Sequence, residues 1–291
     1  MLEGKHIVII GGDARQLEII RKLSRLQAKL SLVGFQQLDD GFIGASKEGI
    51  DDINWSNVDA VILPVSGTDA HGSVETVFSN EKVILNRKHL QQSPKHCVIY
   101  SGISNEYLTD ITKKANRKLV KLMDRDDIAI YNSIPTAEGA LMIAIQHTDI
   151  TLHNADIIVL GLGRTGMTIA RTFSAIGAKV KVAVREADLL ARATEMGLKA
   201  IPISDLEQHS EACDLFINTI PALVLTEKVL AKIPTHSLII DLASKPGGTD
   251  FDYAEKRGIR AQLVPGLPGI VAPKTAGIIL ANVLTELILE Q

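Results

Sequence analysis

The strongest chemical signal in the sequence is a Gly-x-Gly-x-x-Gly pattern that begins at Gly161. An apolar strand pattern over Asp156–Leu160 precedes it, and a helical pattern follows it from Met167. In this order the glycines allow a tight turn, a close approach of the backbone to phosphates, and close packing of helix on strand. The helix N-terminus then directs its N–H groups and its dipole at an anion, which predicts a dinucleotide site. The residues that we place at this site are Gly161, Gly163, Arg164, Thr165 and Gly166.

The strand that follows the glycine turn predicts which dinucleotide binds. NAD enzymes usually have a carboxylate about 20 residues past the glycines, where it holds the ribose 2′-hydroxyl. Here Arg185 stands at that place and Glu186 follows it. A guanidinium can pair with the 2′-phosphate of NADP, whereas that phosphate would repel a carboxylate. We therefore predict NADP. Glu186 leaves NAD as the alternative, and a solvated surface arginine is the other interpretation of Arg185.

Two later strands end in polar residues, at the edge where an open α/β sheet binds its ligand. The first ends at Asn218 and the second at Asp241. We expect the loops after them to border the nicotinamide ribose, although ordinary turn chemistry explains the same residue types. The cofactor-binding residues that we predict in these loops are Thr219, Pro221, Ala243 and Ser244.

Hydroxyl groups and a cation elsewhere in the chain suit a small carboxylate substrate. The catalytic base is not identified by any motif, and the candidates are Glu138 and Asp13. Glu138 equally fits a residue that balances a helix dipole, and Asp13 fits a helix cap. The substrate-binding residues that we predict are Arg15, Ser66, Gly67, Thr68, Ser101, Ser133 and Thr136.

Composition limits the class of protein. With 46% hydrophobic and only 4% aromatic residues, the core must consist of aliphatic side chains, which suits buried parallel strands covered by helices. The net charge of −3 and the lack of a basic block argue against nucleic acid as a partner. The eight histidines show no zinc-like spacing, so no metal is expected. We predict no signal peptide and no membrane span, and therefore a cytoplasmic protein.

Alternating strands and helices must position these residues. At 291 residues the chain is long enough for two domains. The predicted fold class is α/β, with two doubly wound parallel-sheet (Rossmann-like) domains and a cleft between them. Residues 1–130 are predicted to form the substrate-side domain and residues 131–273 the NAD(P)-binding Rossmann domain. A helix over Thr136–His147, capped by Thr136, is predicted to bridge them, and the helix over 274–291 is predicted to pack back on the first domain.

Five motifs follow one another along the chain, and the ordered set resembles one family, the A-type subunits of dipicolinate synthase. The resemblance covers essentially the full length, whereas the glycine turn alone is shared by many dehydrogenases. The Pro-Thr-Ala-Glu segment within the second motif is also similar to D-2-hydroxyacid and alanine dehydrogenases. The motifs are Gly11-Gly12-Asp13-x-Arg15-Gln16, Asn132-Ser133-Ile134-Pro135-Thr136-Ala137-Glu138-Gly139, the glycine turn, Asp241-Leu242-Ala243-Ser244-x-Pro246-Gly247-Gly248-x-Asp250, and Pro265-Gly266-Leu267-Pro268-Gly269.

The resemblance implies an oxidoreductase of sporulation that oxidises dihydrodipicolinate, or its hydroxytetrahydro precursor, to dipicolinate with NADP. This reaction branches from lysine synthesis, and the resemblance places it in the mother cell of a sporulating bacterium. It also implies a heteromeric complex with the flavoprotein-like B-type subunit of dipicolinate synthase, and we expect an oligomer. Two alternatives stay open: another NAD(P)-dependent imine or 2-hydroxyacid dehydrogenase, and a non-catalytic cofactor-binding protein that supports its partner.

Overall fold

The computed structural model of the chain describes residues 1–39 and 41–291. These residues divide into two compact units. The first unit comprises Met1–Ala129 together with Pro273–Gln291, and the second comprises Ile130–Ala272. Within the described residues each unit contains a parallel sheet of six strands flanked by helices. The predicted fold class, two doubly wound Rossmann-like domains, is confirmed.

The first unit orders its main sheet β3-β2-β1-β4-β7-β8 in the part of the chain that the structure describes, and neighbouring strands are parallel. Strand order therefore reverses beside β1, which has β2 on one side and β4 on the other. A separate antiparallel pair, β5 and β6, lies outside this sheet. The strands are β1 (His6–Ile10), β2 (Lys29–Val33), β3 (Ala45–Lys47), β4 (Ala60–Ile62), β5 (Ser73–Val74), β6 (Val83–Ile84), β7 (Val98–Ser101) and β8 (Lys118–Lys121).

The helices of the first unit cover both faces of its sheet. The carboxylate of Asp13 caps the first helix, and Ile19, Ile20 and Leu23 bury the apolar face of that helix. The C-terminal helix packs on the same helix at Gly277, where a Cβ would lie 2.5 Å from the carbonyl oxygen of Arg15. The helices are α1 (Ala14–Arg25), α2 (Arg87–Gln92), α3 (Glu106–Ala115) and α11 (Pro273–Leu289).

The second unit orders its described strands β11-β10-β9-β12-β13-β14, all parallel. These strands are β9 (Asp156–Leu160), β10 (Lys179–Val184), β11 (Lys199–Pro202), β12 (Leu215–Asn218), β13 (Leu238–Asp241) and β14 (Arg260–Leu263). The helices are α4 (Asp126–His147), which starts in the first unit, α5 (Arg164–Ala175), α6 (Ala187–Glu195), α7 (Leu206–His209), α8 (Glu227–Leu230), α9 (Phe251–Lys256) and α10 (Leu267–Val271).

Both faces of the second sheet are buried, which explains its continuous apolar strands. Ile157 and Val159 of β9 point into one core, and Ile158 and Leu160 point into the other. Burial of each such aliphatic side chain contributes about 1.5–3 kcal/mol. Packing on both faces therefore fixes the ends of the strands, so that the loops that follow begin at defined positions.

The predicted start of the bridging helix at Thr136 is wrong. Helix α4 begins at Asp126 and runs through Pro135. Proline removes one backbone N–H from a helix and usually breaks it, at a cost of about 3 kcal/mol. Here Ala137, Ala140 and Ala144 lie buried in the core of the second unit, and their packing holds the helix together. In the described residues α4 is the one helix whose length and composition would let it cross a membrane, a test that core helices of soluble proteins also pass.

Candidate functional site

A glycine turn joins β9 to α5 at the carboxyl edge of the second sheet. Gly161 has φ +92°, a conformation that favours glycine. A Cβ on Gly166 would lie 2.2 Å from the carbonyl oxygen of Gly161, so the helix can approach the strand this closely only with glycine there. Thr219 braces the turn, because its hydroxyl donates to the carbonyl oxygen of Leu160 at 2.8 Å.

The N-terminus of α5 is open toward the same edge. Gly163 is the N-cap residue and has no side chain with which to cap the helix. The first N–H groups of α5 therefore have no acceptor within the helix. A Cβ on Gly163 would meet no protein atom within 4 Å, which leaves space against the backbone at this point. The N–H groups of this helix end, the positive end of a helix dipole and the space beside Gly163 together fit a pyrophosphate.

Arg185 and Glu186 follow β10, on the neighbouring strand of the same sheet. The Nε and Nη2 groups of Arg185 donate to one carboxylate oxygen of Glu186 at 3.0 and 2.8 Å. These hydrogen bonds lower the pKa of the Glu186 carboxyl below its usual value. The side chain of Arg185 is 83% exposed, so its guanidinium is accessible to a phosphate. The pair places one basic and one acidic group where a ribose 2′ substituent is expected.

A buried polar network lies beneath the loops that follow β12 and β13. Asn218 and Asp241 are both fully buried. The carboxylate of Asp241 accepts hydrogen bonds from the Asn218 amide at 2.9 Å and from the Thr249 hydroxyl at 2.7 Å. It also accepts the backbone N–H groups of Ala243 at 3.1 Å and Gly248 at 2.8 Å. Asp241 thus ties both ends of the 243–249 loop to the end of its own strand.

The sequence pattern identified Asn218 and Asp241 only as the ends of strands. The cofactor-binding residues were predicted in the loops that follow them. The structure gives these neighbours different surroundings. Thr219 is half-buried against the glycine turn, and Ala243 is buried with its N–H on Asp241. The two remaining predicted residues of these loops, Pro221 and Ser244, are exposed. The sequence feature that indicated this polar network was a polar residue at the end of each of two buried strands.

Asp13 and Arg15 form an ion pair at the start of α1. Both carboxylate oxygens of Asp13 accept from the Arg15 guanidinium, at distances of 2.7–3.1 Å. Burial of Asp13 raises the pKa of its carboxyl, but the hydrogen bonds and charge of Arg15 lower it more, and the pKa lies below its usual value. Asp13 is therefore a weak base, and the cation of Arg15 is already paired.

The other predicted substrate residues of the first unit lie in the loops after β4 and β7. A Cβ on Gly67, whose φ is +69°, would lie 2.9 Å from the hydroxyl oxygen of Ser101. The structure thus brings these two loops together. Ser101 is buried, and its hydroxyl donates to the carbonyl oxygen of Ile103. Thr68, the residue after Gly67, is also buried. The exposed hydroxyl of Ser66 points to Glu75 at 3.4 Å.

The β1–α1 turn of the first unit also contains two glycines, but the segment around Glu75 packs against their backbone. The N–H of Gly12 donates to the carbonyl oxygen of Glu75 at 2.7 Å, and Gly12 pairs with Thr76 in a parallel bridge. A Cβ on Gly11 would lie 2.4 Å from the same Glu75 oxygen. Because this segment takes the place that a pyrophosphate would need, the first unit's turn does not offer a dinucleotide site.

Three predicted site residues, Ser133, Thr136 and Glu138, lie in the middle of α4. Ser133 is buried, and its hydroxyl contacts the Ile130 carbonyl oxygen and the Thr168 hydroxyl, each at 2.6 Å. The hydroxyl of Thr136 donates to the carbonyl oxygen of Asn132 at 2.7 Å. Glu138, two residues after Thr136, is exposed. Both hydroxyls thus form hydrogen bonds around Pro135 in the helix, and Thr136 is not a helix cap.

Potential metal ligands are scattered across the fold. Among residues 1–39 and 41–291, no three His, Cys, Asp or Glu side chains are grouped so that they could hold a metal ion. The two cysteines of this part of the chain, Cys97 and Cys213, are both free and buried. Burial raises the pKa of these thiols to about 11 and about 12, which keeps them protonated and unreactive near neutral pH.

Two doubly wound sheets, the second with an open glycine turn, define a dehydrogenase-like protein with Rossmann domains. The family model "Alanine dehydrogenase/PNT, C-terminal domain" matches residues 129–291, and the model for the N-terminal domain of the dipicolinate synthase A-type subunit matches residues 6–123. The chain belongs to the family of dipicolinate synthase A-type subunits. The alanine dehydrogenase/PNT match supports an oxidoreductase of the dehydrogenase type, from a domain family that binds nicotinamide cofactors.

Individual relatives agree with this assignment. The chain is 62% identical over 290 residues to the dipicolinate synthase A-type subunit of Bacillus subtilis (strain 168), with 100% of this chain and 98% of the relative covered. The crystal structure of the corresponding Bacillus halodurans protein is 66% identical, covers 99% of each chain and superposes with a TM-score of 0.98. An L-alanine dehydrogenase structure at 16% identity, covering 96% of this chain and 89% of that one, shares the fold with a TM-score of 0.61. Because the Bacillus proteins are named as one type of subunit, their names imply a second type in those synthases.

Proposed function

We propose that this chain is the component of a dipicolinate synthase that oxidises dihydrodipicolinate, or its hydroxytetrahydro precursor with loss of water, to dipicolinate with NADP. The observation that carries the proposal is the open glycine turn between β9 and α5, in a chain 62% identical to a dipicolinate synthase A-type subunit. We further propose that it acts during sporulation in the mother-cell cytoplasm, together with a flavoprotein-like B-type subunit.

The second unit would hold the dinucleotide. The N–H groups of the first turn of α5 would bind the pyrophosphate, and Gly163 would let it approach the backbone. The 243–249 loop, held by Asp241, would border the nicotinamide ribose. A dinucleotide held there would supply the hydride acceptor for oxidation of the dihydropyridine.

The first unit would bind the substrate through hydroxyl and backbone groups of the loops after β4 and β7. Loss of a hydride and a proton makes the pyridine ring aromatic, so orientation of the ring is the main requirement on the protein. A base must take the proton. The ion pair with Arg15 lowers the pKa of the Asp13 carboxyl and makes it a weak base, and we therefore favour the exposed carboxylate of Glu138.

We expect Arg185→Asp to weaken binding of NADPH more than binding of NADH, by about 10-fold or more. The substitution removes the cation that would face the 2′-phosphate and adds a repelling charge. Dissociation constants for both dinucleotides, measured by fluorescence titration, test the expectation. Arg192→Asp is the matched control, because Arg192 is likewise exposed and paired with a glutamate, at 2.9 Å. Equal losses for NADPH and NADH in Arg185→Asp would remove Arg185 from the cofactor site.

The proposed reaction is tested by incubating the purified chain with the dihydro precursor and NADP⁺, with and without the B-type subunit, while dipicolinate and NADPH are measured. We expect the two products in equal amounts whenever this chain is present. Dipicolinate without NADPH would instead indicate a cofactor-binding protein that supports its partner. Turnover of imines or 2-hydroxyacids in place of the dicarboxylate would indicate another dehydrogenase on the same fold.

A further inference from the structure

Gln16, in the first turn of α1, carries a buried amide nitrogen that no atom of the described residues satisfies. The residue is 3% exposed, and its Nε2 group has no hydrogen-bond partner in the described residues. A buried donor without an acceptor is costly, so proteins seldom retain one unless a ligand or a water completes it. The Gln16 amide nitrogen therefore needs a hydrogen-bond acceptor that the described residues do not supply.

The Gln16 amide lies directly over the β1–α1 turn. Its Nε2 atom is 3.1 Å from the point that a Cβ of Gly12 would occupy, and Gly12 has φ +103°. This turn follows β1, beside which the strand order of the first sheet reverses. Open α/β sheets bind their ligands at such a reversal, in the crevice beyond the carboxyl ends of the strands.

A second buried polar atom lies in the loop on the other side of this reversal. Thr68 follows β4, the neighbour of β1, and its hydroxyl oxygen is buried without a partner in the described residues. The loop is held in place, because the side-chain amide of Asn105 donates to the carbonyl oxygen of Thr68 at 2.6 Å. The segments that follow two neighbouring strands thus each contain one buried polar atom without a partner in the described residues.

The charge around the Gln16 amide and the Thr68 hydroxyl favours a small anion. The first turn of α1 supplies the positive end of a helix dipole, and the Arg15 guanidinium beside Gln16 is balanced by Asp13. An amide N–H and a hydroxyl are neutral donors that match the oxygens of a carboxylate. We propose that Gln16 and Thr68 donate hydrogen bonds to a carboxylate of the dicarboxylate substrate at this strand reversal. The proposal rests on the proposed function.

The test compares Gln16→Met, Gln16→Glu and Thr68→Val with the wild-type chain. Each keeps the size of the side chain, while Gln16→Glu adds a charge that repels a carboxylate. We expect KM for the dihydro precursor and Kd for dipicolinate to rise about 10- to 100-fold in Gln16→Met and Thr68→Val, and further in Gln16→Glu. The Kd for NADPH should change less than about twofold.

Thermal unfolding separates a binding role from a structural one. Because Gln16→Met removes an unsatisfied buried donor, we expect its Tm to equal or exceed that of the wild type. Gln92→Met, a change at an exposed glutamine of α2, is the matched control and should alter neither binding nor Tm. Unchanged dipicolinate affinity in both Gln16 variants, or a lower Tm in Gln16→Met with equal losses for dipicolinate and NADPH, would overturn the assignment. Failure of the wild type to bind dipicolinate or precursor would instead overturn the proposed function itself.

Discussion

Replacing Gly163 by alanine should lower the affinity for NADPH about 100-fold or more while leaving the free protein as stable as before. A Cβ at this position meets no protein atom within 4 Å, and φ is −79°, which alanine adopts readily. The added methyl group would, however, project where the pyrophosphate must approach the backbone. Several charge-assisted hydrogen bonds would then be lost together.

Isothermal titration calorimetry with NADPH measures the expected loss, and thermal unfolding without ligand shows that the fold is intact. Gly41→Ala, in the first unit, is the matched control, because a Cβ there also meets no atom of the described residues within 4 Å. If Gly163→Ala binds NADPH as tightly as the wild type, the turn is a structural feature without a phosphate against it.

Asp241→Ala should lower the free energy of unfolding of the second unit by about 3–5 kcal/mol. The change would remove the acceptor of four buried N–H or O–H groups: one N–H of the Asn218 amide, the Thr249 hydroxyl and the N–H groups of Ala243 and Gly248. Each unsatisfied donor costs about 1–3 kcal/mol, partly relieved when the loop relaxes. The 243–249 loop should therefore loosen as well.

Urea unfolding followed by circular dichroism measures the loss in Asp241→Ala. Asp188→Ala removes an exposed aspartate from the first turn of α6 and should cost no more than about 1 kcal/mol. If the two substitutions cost the same, the buried network contributes little to the stability of the second unit.

The two glycine turns show how far sequence reasoning could predict the cofactor site. The glycines at 161, 163 and 166 act locally, through the turn and the contact of one helix with one strand, and their spacing was sufficient to predict the turn that the structure contains. The turn at Gly11 and Gly12 differs because Glu75, which is distant in the chain, places its carbonyl oxygen above it. Such a non-local contact has no local sequence pattern.

Helix α4 was mispredicted for a comparable reason. Pro135 and the polar residues before it favoured a break, and local propensity alone would place one there. Burial of Ala137, Ala140 and Ala144 in the core of the second unit outweighs that preference. The strength of a core contact depends on its partners in the fold, which the local pattern does not contain.

The substrate side was the least accessible to sequence reasoning. Arg15 was predicted as the cation of the site, but Asp13 two residues earlier pairs with it through both carboxylate oxygens. The adjacent Gln16 was not predicted as a binding residue, because a glutamine in a first helical turn is ordinary. Its unsatisfied amide becomes visible only when the surrounding atoms are in place. These roles in substrate binding stay predictions.

A titration of the isolated wild-type chain with NADPH, in the absence of substrate, tests the proposed dinucleotide site most directly. The open N-terminus of α5 and the space against Gly163 predict saturable binding of one dinucleotide per chain, with NADPH bound more tightly than NADH. The absence of saturable binding of either dinucleotide by the folded chain would contradict the account, since the proposed oxidation and the roles of Arg185 and Asp241 all depend on that site.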